Sequence, residues 1–170
     1  MPKNSIIIIR EYDLDQESRY NFAKEIFALK KDRRDIKILI GKNVKLAVEL
    51  KADGVHFSDN DILPLSFLQK KSFHKNFIFS FACHSEKSLK KAHKIKPNLV
   101  FLSPIFPTTS HREAKFFGKL KFAKIAVENK KLKYDRLALF ALGGINKNNL
   151  KFIKNLTIKG FGAIDYFLNV

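Results

Sequence analysis

The sequence predicts an α/β fold in which parallel strands alternate with helices. Seven short apolar runs recur along the 170 residues, and lysine-rich segments with apolar residues at helical spacing lie between them. The runs are largely apolar on both faces, which is typical of a parallel sheet that helices cover. A chain of 19.6 kDa is long enough for one domain and too short for two of ordinary size, so we expect a single domain over residues 1–170.

The first half of the chain predicts three strands and a capped helix. The first strand, 5–9, contains four consecutive isoleucines, which are β-branched and favour strands. Asp15 is a typical helix N-cap, and apolar residues follow it at the spacing of one helical face. The apolar runs 36–40 and 54–57 predict the second and third strands.

The second half predicts four more strands and two clear helix starts. Ser85 opens a helix in which apolar residues alternate with lysines, and Asn146 opens another directly after a Gly-Gly-Ile turn. The predicted strands are 77–82, 99–102, 137–142 and 161–164.

Two architectures suit this order, an open doubly wound sheet and a (β/α) barrel. No strand is followed by the G-x-G-x-x-G loop of dinucleotide-binding sheets, and Gly160 and Gly162 lie inside the last strand. Gly41 and Lys42 lack the upstream glycine of a Walker loop. Seven units in 170 residues fit a (β/α) barrel that is trimmed below the usual length of about 250 residues.

The charge of the chain is strongly positive, with 33 basic and 16 acidic residues and a net charge of +17. Only six of the basic residues are arginines, and the lysines are spread along the whole chain rather than clustered. We interpret the charge as solvated helix faces and expect no specific nucleic-acid partner.

The composition also limits the location of the protein. No apolar run approaches the roughly 20 residues of a membrane span, and the first residues do not form a secretory signal. Cys83 is the single cysteine, so no intrachain disulfide can form, and we expect it to be an inert core residue. A cytoplasmic location is therefore expected.

Polar residues gather where the predicted strands end, which is the rim that carries the chemistry of a (β/α) barrel. The rim residues include Arg10, Glu11, Gly41, Lys42, His56, Asp59, Asp61, His84, Ser103, Thr108, His111, Gly143, Gly144 and Asp165. His56 and His84 are candidate acids or bases, or hydrogen-bonded packing residues. Asp61 is a candidate Mg²⁺ ligand or a helix N-cap. Gly143 and Gly144 form a candidate phosphate site, or a tight turn with positive φ.

Four motifs together resemble one known family. They are KADGVHFSDND at 51–61, CHS at 83–85, FLSPIFPTTS at 101–110 and ALGGI at 141–145. In order and spacing they are similar to the thiamine-phosphate synthase superfamily, which includes thiamine-phosphate synthases and TenI-type thiazole tautomerases. The resemblance implies a (β/α)₈ barrel, usually dimeric, and the chain begins at what resembles the second strand. We therefore expect a barrel that lacks the first strand and helix.

The resemblance also implies ligands and residue roles. Family members hold thiazole phosphate on backbone amides of the last two loops, and the synthases bind a pyrimidine diphosphate with Mg²⁺ and join the two rings. Arg10 falls on the family's Q-L-R-E-K strand end and Asp61 on its second magnesium-binding aspartate. The expected ligand-binding residues are Gly143, Gly144, Gly162, Ile164 and Thr108.

Several positions depart from the family pattern. The family's glutamine and lysine near the first strand are replaced, and so are its Asn-Asp pair, two serines and a loop lysine. The residues present are Ile8, Tyr12, Gly41, Lys42, Ala82, Asp165 and His111. Lys42 is expected to replace the charge of the Mg²⁺ that the lost aspartate helps to hold.

Three functions follow as hypotheses. The first is synthase chemistry, in which Asp61 binds Mg²⁺ and Arg10, Lys42 and His111 act on the diphosphate. The second is a metal-free thiazole tautomerase that uses His84 or His111, because Pro104 stands where that branch has its histidine. The third is a catalytically inactive ligand-binding or interaction protein. Small-molecule substrates, thiazole phosphate and pyrimidine diphosphate, and a homodimer are the expected partners.

Overall fold

The protein is described by a computed structural model that covers residues 2–64, 76–108, 115–132 and 137–168. The chain forms two compact units, Met1–Ser80 and Phe81–Val170. Within the described ranges, no helix is long and apolar enough to cross a membrane.

All seven predicted strands are present, and their ends differ from the sequence prediction by at most two residues. The strands are β1 Ile6–Ile9, β2 Lys37–Gly41, β3 Gly54–Ser58, β4 Ile78–Cys83, β5 Leu99–Leu102, β6 Leu139–Leu142 and β7 Gly160–Gly162. The helices are α1 Gln16–Leu29, α2 Val44–Glu49, α3 Glu86–Ile95, α4 Lys119–Lys131, α5 Lys151–Lys154 and α6 Asp165–Leu168.

In the first unit, β1, β2 and β3 pair in parallel and in chain order. The β2 side chains of Ile38, Leu39 and Ile40 are all fully buried, as predicted for a strand that is apolar on both faces. Helix α1 begins at the predicted cap, because the Asp15 carboxylate accepts hydrogen bonds from two backbone N–H groups of the first turn. The unit therefore brings the ends of three parallel strands to one edge.

In the second unit, β5, β6 and β7 also pair in parallel and in chain order. Helix α3 begins at Ser85, as predicted, with a reciprocal pair of hydrogen bonds between Ser85 and Ser88.

Asn146 forms the N-cap that the sequence predicts, although the regular helix α5 begins only at Lys151. The Asn146 side chain accepts hydrogen bonds from the backbone N–H groups of Asn148 at 3.0 Å and Asn149 at 3.1 Å. In return, the Asn149 side chain accepts a hydrogen bond from the backbone N–H of Asn146 at 2.9 Å, which completes a capping pattern. The Asn146 carbonyl accepts from the backbone N–H of Leu150 at 3.0 Å, so a helical turn follows the cap and leads into α5.

Candidate functional site

A group of charged side chains lies in the first unit, around the ring of Tyr12. The Lys42 ammonium is 4.3 Å from the ring centroid, and the guanidinium carbons of Arg10 and Arg19 are 5.4 Å and 5.3 Å away. Cations at these distances are attracted to an aromatic face. We call this group, with Asp61, the Tyr12 cluster: Arg10, Tyr12, Arg19, Lys42 and Asp61.

Gly41, the last residue of β2, makes room for the ring of Tyr12. A Cβ atom at this position would lie 2.6 Å from the Tyr12 hydroxyl oxygen, so only glycine fits there without a shift. The Gly41 carbonyl also accepts a hydrogen bond from Nη2 of Arg19, which lies on α1. Gly41 thus fixes both an aromatic ring and a cation beside Lys42.

Lys42 forms an ion pair with Asp61, with 2.9 Å between Nζ and Oδ1. The other carboxylate oxygen of Asp61 accepts hydrogen bonds from the backbone N–H of Ser58 at 2.7 Å and from its hydroxyl at 2.9 Å. Burial raises the pKa of Asp61, but the hydrogen bonds from Lys42 and Ser58 outweigh burial and hold that pKa below its usual range. Asp61 therefore remains a carboxylate at neutral pH.

The hydrogen bonds that the Asp61 carboxylate accepts from Ser58 are not those of a helix N-cap. Ser58 precedes Asp61 by three residues, whereas a capping side chain accepts from N–H groups that follow it. The backbone N–H of Asp61 also donates to the Ser58 carbonyl at 3.0 Å, which closes a turn after β3. This turn holds the carboxylate beside Lys42.

The backbone of Lys42 adopts the left-handed conformation, with φ of 59°. For a residue with a Cβ atom this conformation costs roughly 1–2 kcal/mol, and glycine adopts it freely. The backbone N–H of Lys42 donates to the His56 carbonyl at 2.8 Å, which ties the residue to the end of β3. A strained position therefore carries the ion-paired ammonium.

In the second unit, two consecutive glycines follow β6. Gly143 and Gly144 have φ of 90° and 66°. A Cβ atom on Gly143 would lie 2.7 Å from Cβ of Pro104, and one on Gly144 would lie 2.7 Å from the Phe106 carbonyl oxygen. The backbone N–H of Phe106 donates to the Gly143 carbonyl at 3.2 Å. We call these residues the Gly143 loop: Ser103, Pro104, Phe106, Gly143 and Gly144.

The geometry of the Gly143 loop accounts for its glycines without any ligand. Both positions combine positive φ with a lack of space, so the tight-turn interpretation is satisfied. The role of these glycines in phosphate binding stays a prediction.

The other predicted ligand-binding residues also lie in the second unit. Gly162 ends β7, where a Cβ atom would lie 2.9 Å from Cδ1 of Leu142, the residue before the Gly143 loop. Ile164 is 67% exposed, and Thr108 is half-buried. His84 is exposed after the end of β4. His111 lies outside the described residues, and so does the side chain of Asp165.

The rim residue His56 and the neighbouring Cys83 belong to the core rather than to an open site. His56 is buried, and its Nδ1 atom lies 2.7 Å from the hydroxyl oxygen of Ser80. This contact is that of a hydrogen-bonded packing residue. Cys83 is fully buried, as expected.

The sequence prediction missed Arg19 and gave Tyr12 only as a departure from the family. A signal for Arg19 is present, because it stands four residues after the N-cap Asp15 of α1. The positive end of the helix dipole disfavours a cation there, so an arginine at that place indicates a partner beyond the helix. The first turn of a helix that follows a parallel strand lies beside the strand ends, where the cluster forms.

Comparisons with known proteins agree on one family. The family model described as thiamine monophosphate synthase matches residues 3–166. A protein of Aquifex aeolicus (strain VF5) named "Putative thiamine-phosphate synthase 2" is 34% identical over 163 residues, which are 96% of this chain and 82% of the relative. The chain belongs to the thiamine monophosphate synthase family. The resemblance found in the sequence is confirmed.

Other relatives extend the agreement. The thiamine-phosphate synthase of Clostridium tetani (strain Massachusetts / E88) is 26% identical over 166 residues, which are 96% of this chain and 74% of the relative. The solved structure of thiamine phosphate pyrophosphorylase from Pyrococcus furiosus is similar in fold, with a TM-score of 0.75 and 23% sequence identity. The matched part is 94% of this chain and 72% of the Pyrococcus chain. The predicted α/β barrel class is confirmed by this likeness of fold. The chain is a synthase-like member of a thiamine-biosynthesis family.

The residues of the Tyr12 cluster do not fit the magnesium ion that this family generally uses. Both carboxylate oxygens of Asp61 are engaged, one by Lys42 and the other by Ser58. The position of the family's other aspartate carries an ammonium instead of a ligand oxygen. Within the described ranges, no three His, Cys, Asp or Glu residues form a group that could hold a metal ion.

Proposed function

We propose that the protein catalyses the thiamine-phosphate synthase condensation. In this reaction the thiazole nitrogen of thiazole phosphate forms a bond with the methylene carbon of hydroxymethylpyrimidine diphosphate. The bond between that carbon and the diphosphate oxygen breaks, and diphosphate leaves with the bonding electron pair. The observation that carries the proposal is the Tyr12 cluster, which gathers three cations where parallel strands end.

The Tyr12 cluster supplies what the leaving group needs. Negative charge grows on the diphosphate as its bond to carbon breaks, and fixed cations beside it lower the barrier. Arg10 offers a planar fork of N–H donors that matches phosphate oxygens, and Lys42 adds a point charge. The Nε atom of Arg19 is buried and has no hydrogen-bond acceptor among the described residues, which supports an acceptor from a bound anion beside it.

The Gly143 loop supports the binding of thiazole phosphate in the second unit. Glycines let backbone N–H groups approach an anion closely, because no side chain stands between. We assign the phosphate of the thiazole to Gly143 and Gly144, with Gly162, Ile164 and Thr108 as further contacts. The resemblance supports this assignment, since the loops after the last two strands commonly form a phosphate site in barrels.

The test is an assay for thiamine phosphate, detected by fluorescence after oxidation to a thiochrome. We expect product from the two substrates together, and we expect Arg10→Gln to lower kcat/KM by about 100-fold, which is about 2.7 kcal/mol of transition-state stabilisation. Arg34→Gln is the matched control, because Arg34 is exposed and lies outside the cluster. The control should keep the activity of the original chain.

Two other results would replace the proposal. Conversion of the thiazole phosphate tautomer alone, abolished by substitution of His84 or His111, would identify a tautomerase. The absence of product and of binding by either substrate in calorimetry would identify a catalytically inactive member of the family.

The proposal includes a homodimer in the cytoplasm. The family's small-molecule substrates and the single buried cysteine support a reducing compartment. Light scattering should report about twice the chain mass of 19.6 kDa, and a monomer at all concentrations would contradict the dimer. Cell fractionation checks the location.

A further inference from the structure

We propose that the Tyr12 cluster binds a diphosphate group without a divalent metal, because the Lys42 ammonium takes the place of the ion. The inference rests on the proposed function for the class of ligand. It goes further in stating that the site of this chain binds its ligand without a divalent metal. The geometry of the Lys42–Asp61 pair carries it.

The Lys42–Asp61 pair has the same net charge as two aspartates with a bound Mg²⁺ ion. Two aspartates and one Mg²⁺ ion carry a net charge of zero, and so do one aspartate and one lysine. Exchange of the family's aspartate for Lys42, with loss of the ion, therefore leaves the local charge beside the ligand unchanged. Each charge acts on a diphosphate according to its sign and its distance from the phosphate oxygens.

Both carboxylate oxygens of Asp61 are already engaged by protein groups. Mg²⁺ binds oxygen ligands at about 2.0–2.1 Å in a nearly octahedral arrangement. The Asp61 oxygen that would be offered to an ion already lies 2.9 Å from the Lys42 ammonium, and the other oxygen accepts two hydrogen bonds from Ser58. An ion at Asp61 would have to displace an ammonium tied to the same carboxylate, and the two cations would repel each other.

The backbone of Lys42 is strained, with a left-handed φ of 59°. Its backbone conformation favours glycine, yet the residue carries a long charged side chain that is attached to Asp61 and to the face of Tyr12. The contacts of Lys42 with Asp61, with the Tyr12 ring and with the His56 carbonyl maintain this conformation. Lys42, directly after β2, and the engaged carboxylate of Asp61, in the turn after β3, thus hold each other in place.

The experiment titrates the purified protein with inorganic diphosphate by calorimetry, once with EDTA and once with excess Mg²⁺. We expect binding in EDTA, with a dissociation constant that Mg²⁺ changes by less than about twofold. Lys42→Asn should weaken the binding by about tenfold or more, since asparagine tolerates the left-handed backbone but lacks the charge. Binding that requires Mg²⁺, no binding in either buffer, or an unchanged Lys42→Asn variant would each overturn the inference.

A matched control variant is available at Lys51. This exposed lysine has the same left-handed backbone, with φ of 51°, and lies outside the Tyr12 cluster. Lys51→Asn should bind diphosphate as the original chain does. A thermal melt of each variant establishes that it is folded before the titrations are compared.

The reverse substitution provides an independent readout. Lys42→Asp restores a second carboxylate beside Asp61, and we expect this variant to bind Mg²⁺ alone, which the original chain should not do. It should bind diphosphate only when Mg²⁺ is present. Diphosphate binding by Lys42→Asp in EDTA with the original affinity would contradict the inference.

The two proposals fail in different ways. Product formation in EDTA supports both, whereas product formation only with Mg²⁺ overturns the metal-free site and leaves the synthase function standing. Metal-independent binding of diphosphate with no product keeps the metal-free site and refutes the synthase function.

Discussion

The Tyr12 cluster and the Gly143 loop are built in opposite ways. In the first, side chains from α1 and from the segments that follow β1, β2 and β3 bring charges around a ring. In the second, the backbone turns so tightly that a single methyl group has no room. Two departures from the family pattern, Tyr12 and Lys42, lie in the cluster itself, and the loop keeps its glycines. A site made of charges can thus be rebuilt with other residues, whereas a site made of backbone geometry cannot.

The largest effect should follow from Gly144→Ala. The substitution combines a left-handed φ of 66° with contact between the new methyl group and the Phe106 carbonyl. We expect the free energy of unfolding to fall by about 3 kcal/mol, from conformational strain and overpacking together. Denaturation by urea measures the change.

Gly118→Ala is the control that separates these two contributions. Gly118 also has positive φ, 74°, but a Cβ atom there would meet its nearest neighbour only at 3.9 Å. We expect a loss of about 1 kcal/mol from conformation alone. Equal losses at Gly118 and Gly144 would show that space does not matter in the Gly143 loop.

A smaller effect is expected when Tyr12 is replaced by lysine, the family's residue. The change removes a ring that faces three cations and adds a fourth positive charge among them. We expect a loss of about 2 kcal/mol that shrinks as salt is added, since salt screens repulsion between exposed charges. Tyr12→Leu removes the ring without adding charge, and its loss should not depend on salt; a salt-dependent loss there would contradict this account.

The pH dependence of stability should report on Asp61. Its pKa in the folded chain lies below the usual aspartate value of 3.8, so its stabilising effect is complete above pH 3.8 and is lost as the pH falls through the folded pKa. We expect Asp61→Asn to lower the free energy of unfolding at pH 7 by about 1–2 kcal/mol, and this difference to shrink in acid. Unfolding curves between neutral and acidic pH test it, with exposed Asp32→Asn as the control. A difference that does not change with pH would contradict the ion pair.

The smallest effect should follow from Lys42→Gly. Glycine relieves the left-handed strain, by roughly 1 kcal/mol, and the lost ion pair is worth a similar amount because Lys42 is 44% exposed. We expect a net change within about 0.5 kcal/mol, measured by thermal unfolding. A large loss would mean that the pair, rather than the turn, stabilises the first unit.

The sequence predicted the strands well because each is a compact apolar run between polar segments, as in the fully buried β2. It did not locate Arg19, since contact between a helix and the end of a neighbouring strand depends on three-dimensional packing. It predicted the cap at Asn146, but it did not show that the regular helix begins only at Lys151, after one further turn. Gly143 and Gly144 were predicted together, but their role as turn residues emerges only from φ and from the atoms around them.

The Lys42 ammonium is covalently attached to the chain, so folding delivers it to Asp61 at an effective concentration that dilution cannot lower. A free ion fills its site only in proportion to its concentration in the surroundings. Nucleotides and organic acids that chelate magnesium in the cell would compete for such an ion, but they cannot remove a lysine. The cation beside Asp61 is therefore part of the amino-acid sequence, and its presence does not depend on the concentration of free Mg²⁺ in the cell.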